Sequence, residues 1–348
     1  MDDEDTHGTL DETTTESSGH KVTIRDVARA AGVSPSTVSR AFAKPDRVSA
    51  ATTRRIFEAA AKLGYHSEEV ENVPLRGTKG MIGVIVPDVA NQFFSDLIRS
   101  IHGVVSREGF CLSIYESRES PLVERETFDR MAAHVDGVIL GSSRMPDSMV
   151  RKCAQTRPLV LTNRQVLGVN SVVFDVTNGV RQLTDYIRKA GFTTMTYLDG
   201  PASSWSVGTR WNAIRKACAE RNIIIRRVWP NAPTFEGGKV AASHYLEHPT
   251  TMVVAHNDLM ALGFLSAMRH LGFEAPRDFS IAGFDNGALA EISQPQLTTV
   301  KQPSQIIGAK AAQMLLERIH GDRHGTEYLT LPTSLITRDS TRALPDES

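Results

Sequence analysis

Val22-Thr23-Ile24-Arg25-Asp26-Val27-Ala28-Arg29-Ala30-Ala31-Gly32-Val33-Ser34-Pro35-Ser36-Thr37-Val38-Ser39-Arg40 is the stretch from which the rest of the chain is read. Thr23, with Asp26 three residues on, has the form of a capping box. Ile24, Val27, Ala28 and Ala31 recur at the spacing of one helix face. Gly32 suits the position just past a helix end. Ser34 is a cap for a second helix, with Pro35 at its first position, where a missing N–H costs nothing. Ser49 opens a third helix, with Ile56, Ala59, Ala60 and Leu63 inward and Gly64 behind it. Two short helices joined by a tight turn containing Gly follow the helix-turn-helix plan.

The second helix has the chemistry of a DNA-reading element. Its first turn offers Pro35, Ser36, Thr37 and Ser39, then Arg40. Hydroxyls and helix N-terminal N–H groups hold phosphates, and Arg reads guanine edges with two hydrogen bonds. Charge supports this. Residues 21–65 carry nine Lys or Arg against Asp26, Asp46 and Glu58, on a chain whose net charge is only -1. A basic unit on a neutral chain has nucleic acid as its expected partner. Residues 1–20 carry seven acids and no Lys or Arg, and read as a disordered acidic tail.

A chain of 348 residues suits two or three domains, and 41% hydrophobic residues suffice for a full core. Cys111, Cys153 and Cys218 are scattered and odd in number, without metal or disulfide spacing, which fits the cytoplasm. No apolar run approaches a membrane span, and the acidic N-terminus does not read as a signal peptide.

From Gly80 onward the pattern becomes alternating apolar strands and helices. Strands are expected at 81–86, 110–115, 137–140, 159–161, 172–174, 195–198, 223–228, 252–255, 280–284 and 297–300. Helices are expected at 93–107, 178–190, 206–222, 235–248, 258–271 and 304–320. Repeated βα units imply parallel sheets, and so many strands imply two lobes with a cleft between them. Ligands of such sheets bind beyond the carboxyl ends of the strands. There stand Asn163-Arg164, Asn257-Asp258 and Asp285-Asn286, groups suited to a hydroxylated molecule. Asn257-Asp258 also reads as a plain helix cap, with Asp258 as the capping residue.

Enzyme signals are poor. The chain has no G-x-G-x-x-G, no P-loop and no G-x-S-x-G. His244 and His248, four apart, lack a third ligand and read as a solvated helix face. No cofactor, metal or catalytic residue is assigned.

The N-terminal stretch resembles the headpiece of lactose-repressor family regulators in Thr-Ile-Arg-Asp-Val-Ala (23–28), Ala-Gly-Val-Ser (31–34), Thr-Val-Ser-Arg (37–40) and Arg-Val-Ser (47–49). The core is similar to the same family in residues 82–88, 257–263, 283–286 and 295–300. The resemblance implies a helix-turn-helix headpiece at 21–65, a linker at 66–79, and a two-lobed periplasmic-binding-protein-like α/β core with parallel sheets at 80–340. It places 80–162 plus 304–320 in one lobe and 164–300 plus 326–340 in the other. In the headpiece it implies base contacts from Pro35, Ser36 and Arg40 and phosphate contacts from Thr23, Thr37, Ser39 and Tyr65. In the cleft it adds Ser206 and Arg210 to Asn163, Asn257 and Asp285, with Phe93, Phe94 and Phe235 as an apolar wall. The family's linker forms a hinge helix with a Leu wedge. Here Glu68, Glu69, Glu71 and Pro74 depart from that pattern, and Leu75 fits only after a one-residue slip.

The resulting expectation is a DNA-binding transcriptional regulator, a repressor, controlled by a sugar or nucleoside. It would be cytoplasmic and nucleoid-associated, bind a near-palindromic operator as a homodimer, and need no membrane. The alternatives are a small-molecule-binding protein with a vestigial headpiece and an α/β sugar-modifying enzyme. Helices near 93–107 and 235–248 are the expected dimer surfaces. Residues 337–348 hold one Leu followed by Pro345, so no heptad repeat joins dimers into tetramers.

Overall fold

The computed structural model describes residues 22–43, 47–63, 65, 78–228, 232–321 and 325–342. The acidic tail, Gly64, the linker through 77 and the last six residues lie outside them. Two compact units divide the chain after Val73.

The first unit is three helices, α1 (Ile24–Ala31), α2 (Pro35–Ala43) and α3 (Ala50–Leu63). The Thr23 amide and hydroxyl both donate to Asp26, at 2.9 and 2.6 Å. Gly32 ends α1 at φ 61°, the left-handed conformation only Gly adopts cheaply. Ser34 Oγ accepts from the Thr37 amide at 3.2 Å, and Ser49 Oγ from that of Thr52 at 3.3 Å. Val27, Ala28, Ala31, Val38, Ala41, Ile56, Ala59 and Ala60 form the core. Leu63 departs from the expectation: it is 38% exposed, one turn beyond the point where α3 leaves that small core.

The second unit is two six-stranded sheets. The first joins β1 (Met81–Val86), β2 (Cys111–Glu116), β3 (Gly137–Gly141), β4 (Leu159–Thr162), β5 (Asn170–Asp175) and β11 (Tyr328–Pro332), all parallel, in the order β11-β5-β4-β3-β1-β2. The second joins β6 (Thr194–Leu198), β7 (Ile224–Val228), β8 (Met252–Ala255), β9 (Ser280–Asp285), β10 (Thr298–Lys301) and β12 (Ser334–Ile336), in the order β12-β10-β9-β8-β6-β7. Only β12 is antiparallel to its neighbour. The central strands are apolar runs buried along their length, as parallel sheets covered on both faces require.

Six expected helices are present as α4 (Gln92–Val105), α7 (Val176–Lys189), α8 (Trp205–Glu220), α9 (Phe235–Leu246), α10 (Asp258–His270) and α12 (Ser304–His320). Three more, α5 (Pro121–Met131), α6 (Asp147–Thr156) and α11 (Ala288–Ile292), were not expected. Of these, α5 buries Glu124 and Thr127 beside Phe128 and Met131, so its inner face is not wholly apolar.

The lobe boundary is corrected. Residues 164–175 were expected in the second lobe, yet β5 pairs with β4, Thr162 facing Val172. The 326–340 segment is split: β11 extends the first sheet and β12 the second. The composition of a strand gives its burial but not its partner. The chain therefore crosses between lobes three times, at Asp175–Val176, at Gln302–Pro303 and at Thr333. Thr333 Oγ1 donates to the Asp175 carbonyl at 2.8 Å and accepts from the Gly179 amide at 3.1 Å, joining the first and third crossings. Thr78 and Lys79, assigned to the linker, border the core: the Lys79 amide donates to Asp136 at 2.7 Å.

Candidate functional site

In the headpiece α2 presents Pro35 and Ser36 in its first turn, Ser39 further on and Arg40 in its last turn, all exposed, with Thr23 also exposed and Thr37 and Tyr65 half-buried. The Ser34 hydroxyl ties Ser36 and Thr37 together at 2.9 and 2.8 Å. Phe42, later in α2, packs against the headpiece core with its ring 4.8 Å from Phe57 and 5.9 Å from Tyr65. A helix N-terminus ringed by hydroxyls, with a cation five residues on, has the chemistry to hold anions and to meet base edges.

In the core a narrow cleft, with about 40 Å³ of free volume, opens between the two sheets. It gathers the carboxyl ends of strands from both lobes: Asp88 and Asn91 after β1, Ser142 and Arg144 after β3, Asn163 after β4, His256 and Asn257 after β8, Asp285 ending β9, and Gln302 after β10. Seven of the eight expected cleft residues, Phe93, Phe94, Asn163, Ser206, Arg210, Asn257 and Asp285, line it. Phe235 does not. Thr234 caps α9 by accepting from Gly237, which makes Phe235 the first helical residue. Its side chain lies instead beside Leu259, Leu262, Leu265, Leu289 and Ile292 in a separate apolar groove, and Pro233 takes its place in the cleft.

Phe93 and Phe94 meet edge to face at 5.2 Å and give the apolar wall. Asn91 caps α4 through the Phe93 amide at 2.9 Å and so fixes where both rings stand. Opposite, Arg210 is 3% exposed, with its guanidinium 4.2 Å above the Phe284 ring. One of its terminal nitrogens donates to the His256 carbonyl and lies 3.2 Å from His256 Nδ1. Arg210 Nε, Asn163 Oδ1 and Gln302 Nε2 are buried with no hydrogen-bond partner among the described residues. Unsatisfied buried polar atoms are costly, and three converging on one cleft mark a place for a polar ligand.

The acids are unusual. Asp285 sits at φ 115°, a backbone conformation that favours Gly. Burial raises its carboxyl well above the usual range, the neighbouring Asp258 raises it further, and Arg210 opposes. Burial likewise raises Asp258, to about 7, against the Thr299 hydroxyl and the Gly287 amide that it accepts from at 2.7 and 3.1 Å. Asp258 therefore pins the loop that carries Asp285. The helix cap is Asn257 and not, as expected, Asp258, whose carboxylate is taken by the Asp285 loop: Asn257 Oδ1 accepts from Met260 at 2.9 Å while its Nδ2 donates to Pro233 at 2.8 Å. Both ends of the Asn257 side chain are thus occupied. Arg164 is turned away from the cleft and holds the Ser143 and Met145 carbonyls and Asp147. Arg144 is paired with Glu119 at 2.6 Å.

His256, Gln302, Arg144 and Glu119 were not foreseen. Burial, then Arg210 and Arg144, holds the His256 imidazole well below its ordinary pKa, so it is neutral. The first residue after β8 is His256 and the first after β10 is Gln302. Applying the strand-end rule to every strand finds both.

A family model described as bacterial regulatory proteins, lacI family, matches residues 23–68, and one described as a periplasmic binding protein-like domain matches residues 184–341. The HTH-type transcriptional repressor CytR of Escherichia coli (strain K12) is 33% identical over 331 residues, covering 93% of this chain and 97% of that protein. The ribose operon repressor of Halalkalibacterium halodurans is 30% identical over 323 residues, covering 92% and 97%. Among solved structures, the lac repressor dimer bound to operator and the anti-inducer ONPF superimposes with a TM-score of 0.69 at 26% identity, covering 93% of this chain and 100% of that one. The relatives are repressors rather than enzymes, and they match from headpiece to last strand. The chain belongs to the lacI family of bacterial regulatory proteins.

Proposed function

We propose that the protein represses transcription by binding a near-palindromic operator as a homodimer, and that a sugar or nucleoside in the cleft controls it. The cleft carries the second half of this reading. Arg210 Nε, Asn163 Oδ1 and Gln302 Nε2 lie buried and unpartnered beside an aromatic wall, a mixed donor and acceptor set suited to vicinal hydroxyls. Asp285 supplies a further acceptor and Ser206 a hydroxyl, while Asn257 shapes the wall. In the headpiece, Pro35, Ser36 and Arg40 read bases, and Thr23, Thr37, Ser39 and Tyr65 hold phosphates. A ligand that binds the two arrangements of the lobes unequally shifts their populations, and with them the spacing of two headpieces on DNA. Acting on DNA places the protein in the cytoplasm, at the nucleoid.

An operator with two half-sites needs two headpieces about one helical turn apart. The exposed apolar side chains of α9 and its surroundings, Val240, Leu289 and Ile292 with Phe235, offer a surface for the second copy. Light scattering should return twice the chain mass, and a mass of four chains would refute the dimer. Gel retardation of the protein's own upstream DNA, released or strengthened by one sugar or nucleoside, tests the function. DNA binding indifferent to every such molecule would leave the cleft without its proposed role.

A further inference from the structure

His256 directly follows β8 and lines the cleft, and its Nδ1 faces one obligate donor, the Arg210 guanidinium, and one hydroxyl that can donate or accept, that of Tyr197. Arg210 Nη1 lies 3.2 Å away and Tyr197 Oη 3.3 Å. A guanidinium has only hydrogens to offer, so Nδ1 must present its lone pair, and the ring proton belongs on Nε2. The ring is also held in place. Gly200 packs against it so closely that a Cβ there would stand 2.8 Å from Cδ2 and 2.9 Å from Cγ. The Tyr197 ring behind it is fully buried and stacked on Trp211 at 6.0 Å.

We propose that His256 is a specificity-determining donor of the cleft, locked in the Nε2–H tautomer, and that the ligand it selects offers an uncharged oxygen: a free pentose or ribonucleoside, not its phosphate. The proposal rests on the reading of the cleft as the effector site and names what that site admits. The charges of the cleft carry the second part. Asp88 and Glu119 stand against Arg144 and Arg210, Arg144 is already paired with Glu119, and burial favours the uncharged form of Asp285. A phosphate would meet Arg210 together with Asp285, and would bring two negative charges to a cleft with no surplus cation among its described lining. The unspent polar atoms are a mixture of donors and an acceptor, which hydroxyls match and a purely accepting phosphate does not.

Two measurements on the full-length protein test this. The first is the histidine side-chain nitrogen-15 spectrum at pH 7, with the His256 signals assigned by their loss in His256→Gln. A pyridine-type Nδ1 and a pyrrole-type Nε2 are expected. An Nδ1-protonated ring or an imidazolium overturns the lock. The second is a melting-point and calorimetric titration with D-ribose, the four ribonucleosides and their 5′-phosphates. At least one unphosphorylated molecule should bind, and its 5′-phosphate should not. Its affinity should fall about tenfold or more in His256→Leu and less than about threefold in His256→Gln, whose amide nitrogen replaces the lost donor. Binding by none of the unphosphorylated molecules, equal binding of a phosphate, or unchanged affinity in His256→Leu each refutes the assignment. Gel retardation by the wild-type protein is read separately. Failure there removes the regulator reading without touching the tautomer or ligand results.

Discussion

The headpiece and the cleft solve opposite problems with similar residues. In the headpiece the hydroxyls of Thr23, Ser36 and Thr37 are tied to residues two or three positions away, and the reading surface is largely exposed. In the cleft, Asn163 bonds Ser142, Arg210 bonds His256, and Asn257 bonds Pro233, partners 21 to 46 positions apart, with all three residues under 8% exposed. A surface side chain can be lost without stranding its neighbours. A buried one cannot, because the group left behind keeps its desolvation cost. Substitutions in the cleft should therefore cost more, and spread further, than those on the DNA-facing helix.

The largest effect is expected at Arg210. Arg210→Ala removes a buried cation from between Phe284, His256 and Asp285, and should cost roughly 2–5 kcal/mol of effector affinity. Calorimetry against any ligand of the wild type checks this, with circular dichroism confirming the fold. Equal affinity in both proteins would place Arg210 outside the ligand's reach.

Next is a pH effect confined to the core. The folded state raises Asp258 to about 7, above its ordinary 3.8. The folded form therefore holds a proton that the unfolded chain has released, and stability from this group is present at low pH and lost as pH rises toward 7. The slope is up to about 1.4 kcal/mol per pH unit for one such group. Denaturant unfolding of wild type and Asp258→Asn from pH 4.5 to 7.5 should show the wild type's advantage shrinking with pH. A constant difference would mean that the carboxyl titrates alike in both states.

On the headpiece, Arg40→Ala should cost about 1–3 kcal/mol of operator affinity and relax preference at one base pair per half-site. Thr37→Ala should weaken all sequences alike. A sequence-independent loss in Arg40→Ala would reassign it to a phosphate. The smallest expected effect is Ser34→Ala, which removes the cap on the Thr37 amide and should lower headpiece stability by about 1 kcal/mol. A thermal melt of residues 21–65 unchanged by this substitution would show the cap to be redundant.

The same contrast governs what the sequence made legible. All three headpiece helices, their caps and, apart from Leu63, their buried face were read from local spacing, because each signal and its partner lie within one turn. In the core the strands and most helices were legible as apolar runs, and Asn163, Asp285 and Arg210 as polar residues beside strand ends or by family likeness. The sheet joined by β5 was not, since pairing with β4 and β11 is decided by the whole lobe. Phe235 misled because a helix cap one residue earlier turns it outward. Asn257 was read as a ligand contact with Asp258 as the cap, and its two hydrogen bonds show that the capping role falls on Asn257 instead. His256 went unnoticed beside it, because its meaning comes from Tyr197 and Arg210, 59 and 46 residues away.

The three crossings between lobes also set the mechanics of the core. Two are bonded together through Thr333, and the third runs beside them, with Val300 close against Gly179. Three adjacent tethers resist sliding and twisting, which would shear the bonds at Thr333, and leave rotation about one axis as the soft motion. Gln302 lies on the middle tether and also lines the cleft. It sits beside the crossings, whereas Phe93 and Arg210 stand on opposite lobes. A ligand resting on Gln302 would then occupy the pivot, and any pull that draws the lobes together would have to come from the rim, from the aromatic wall on one side and the guanidinium on the other.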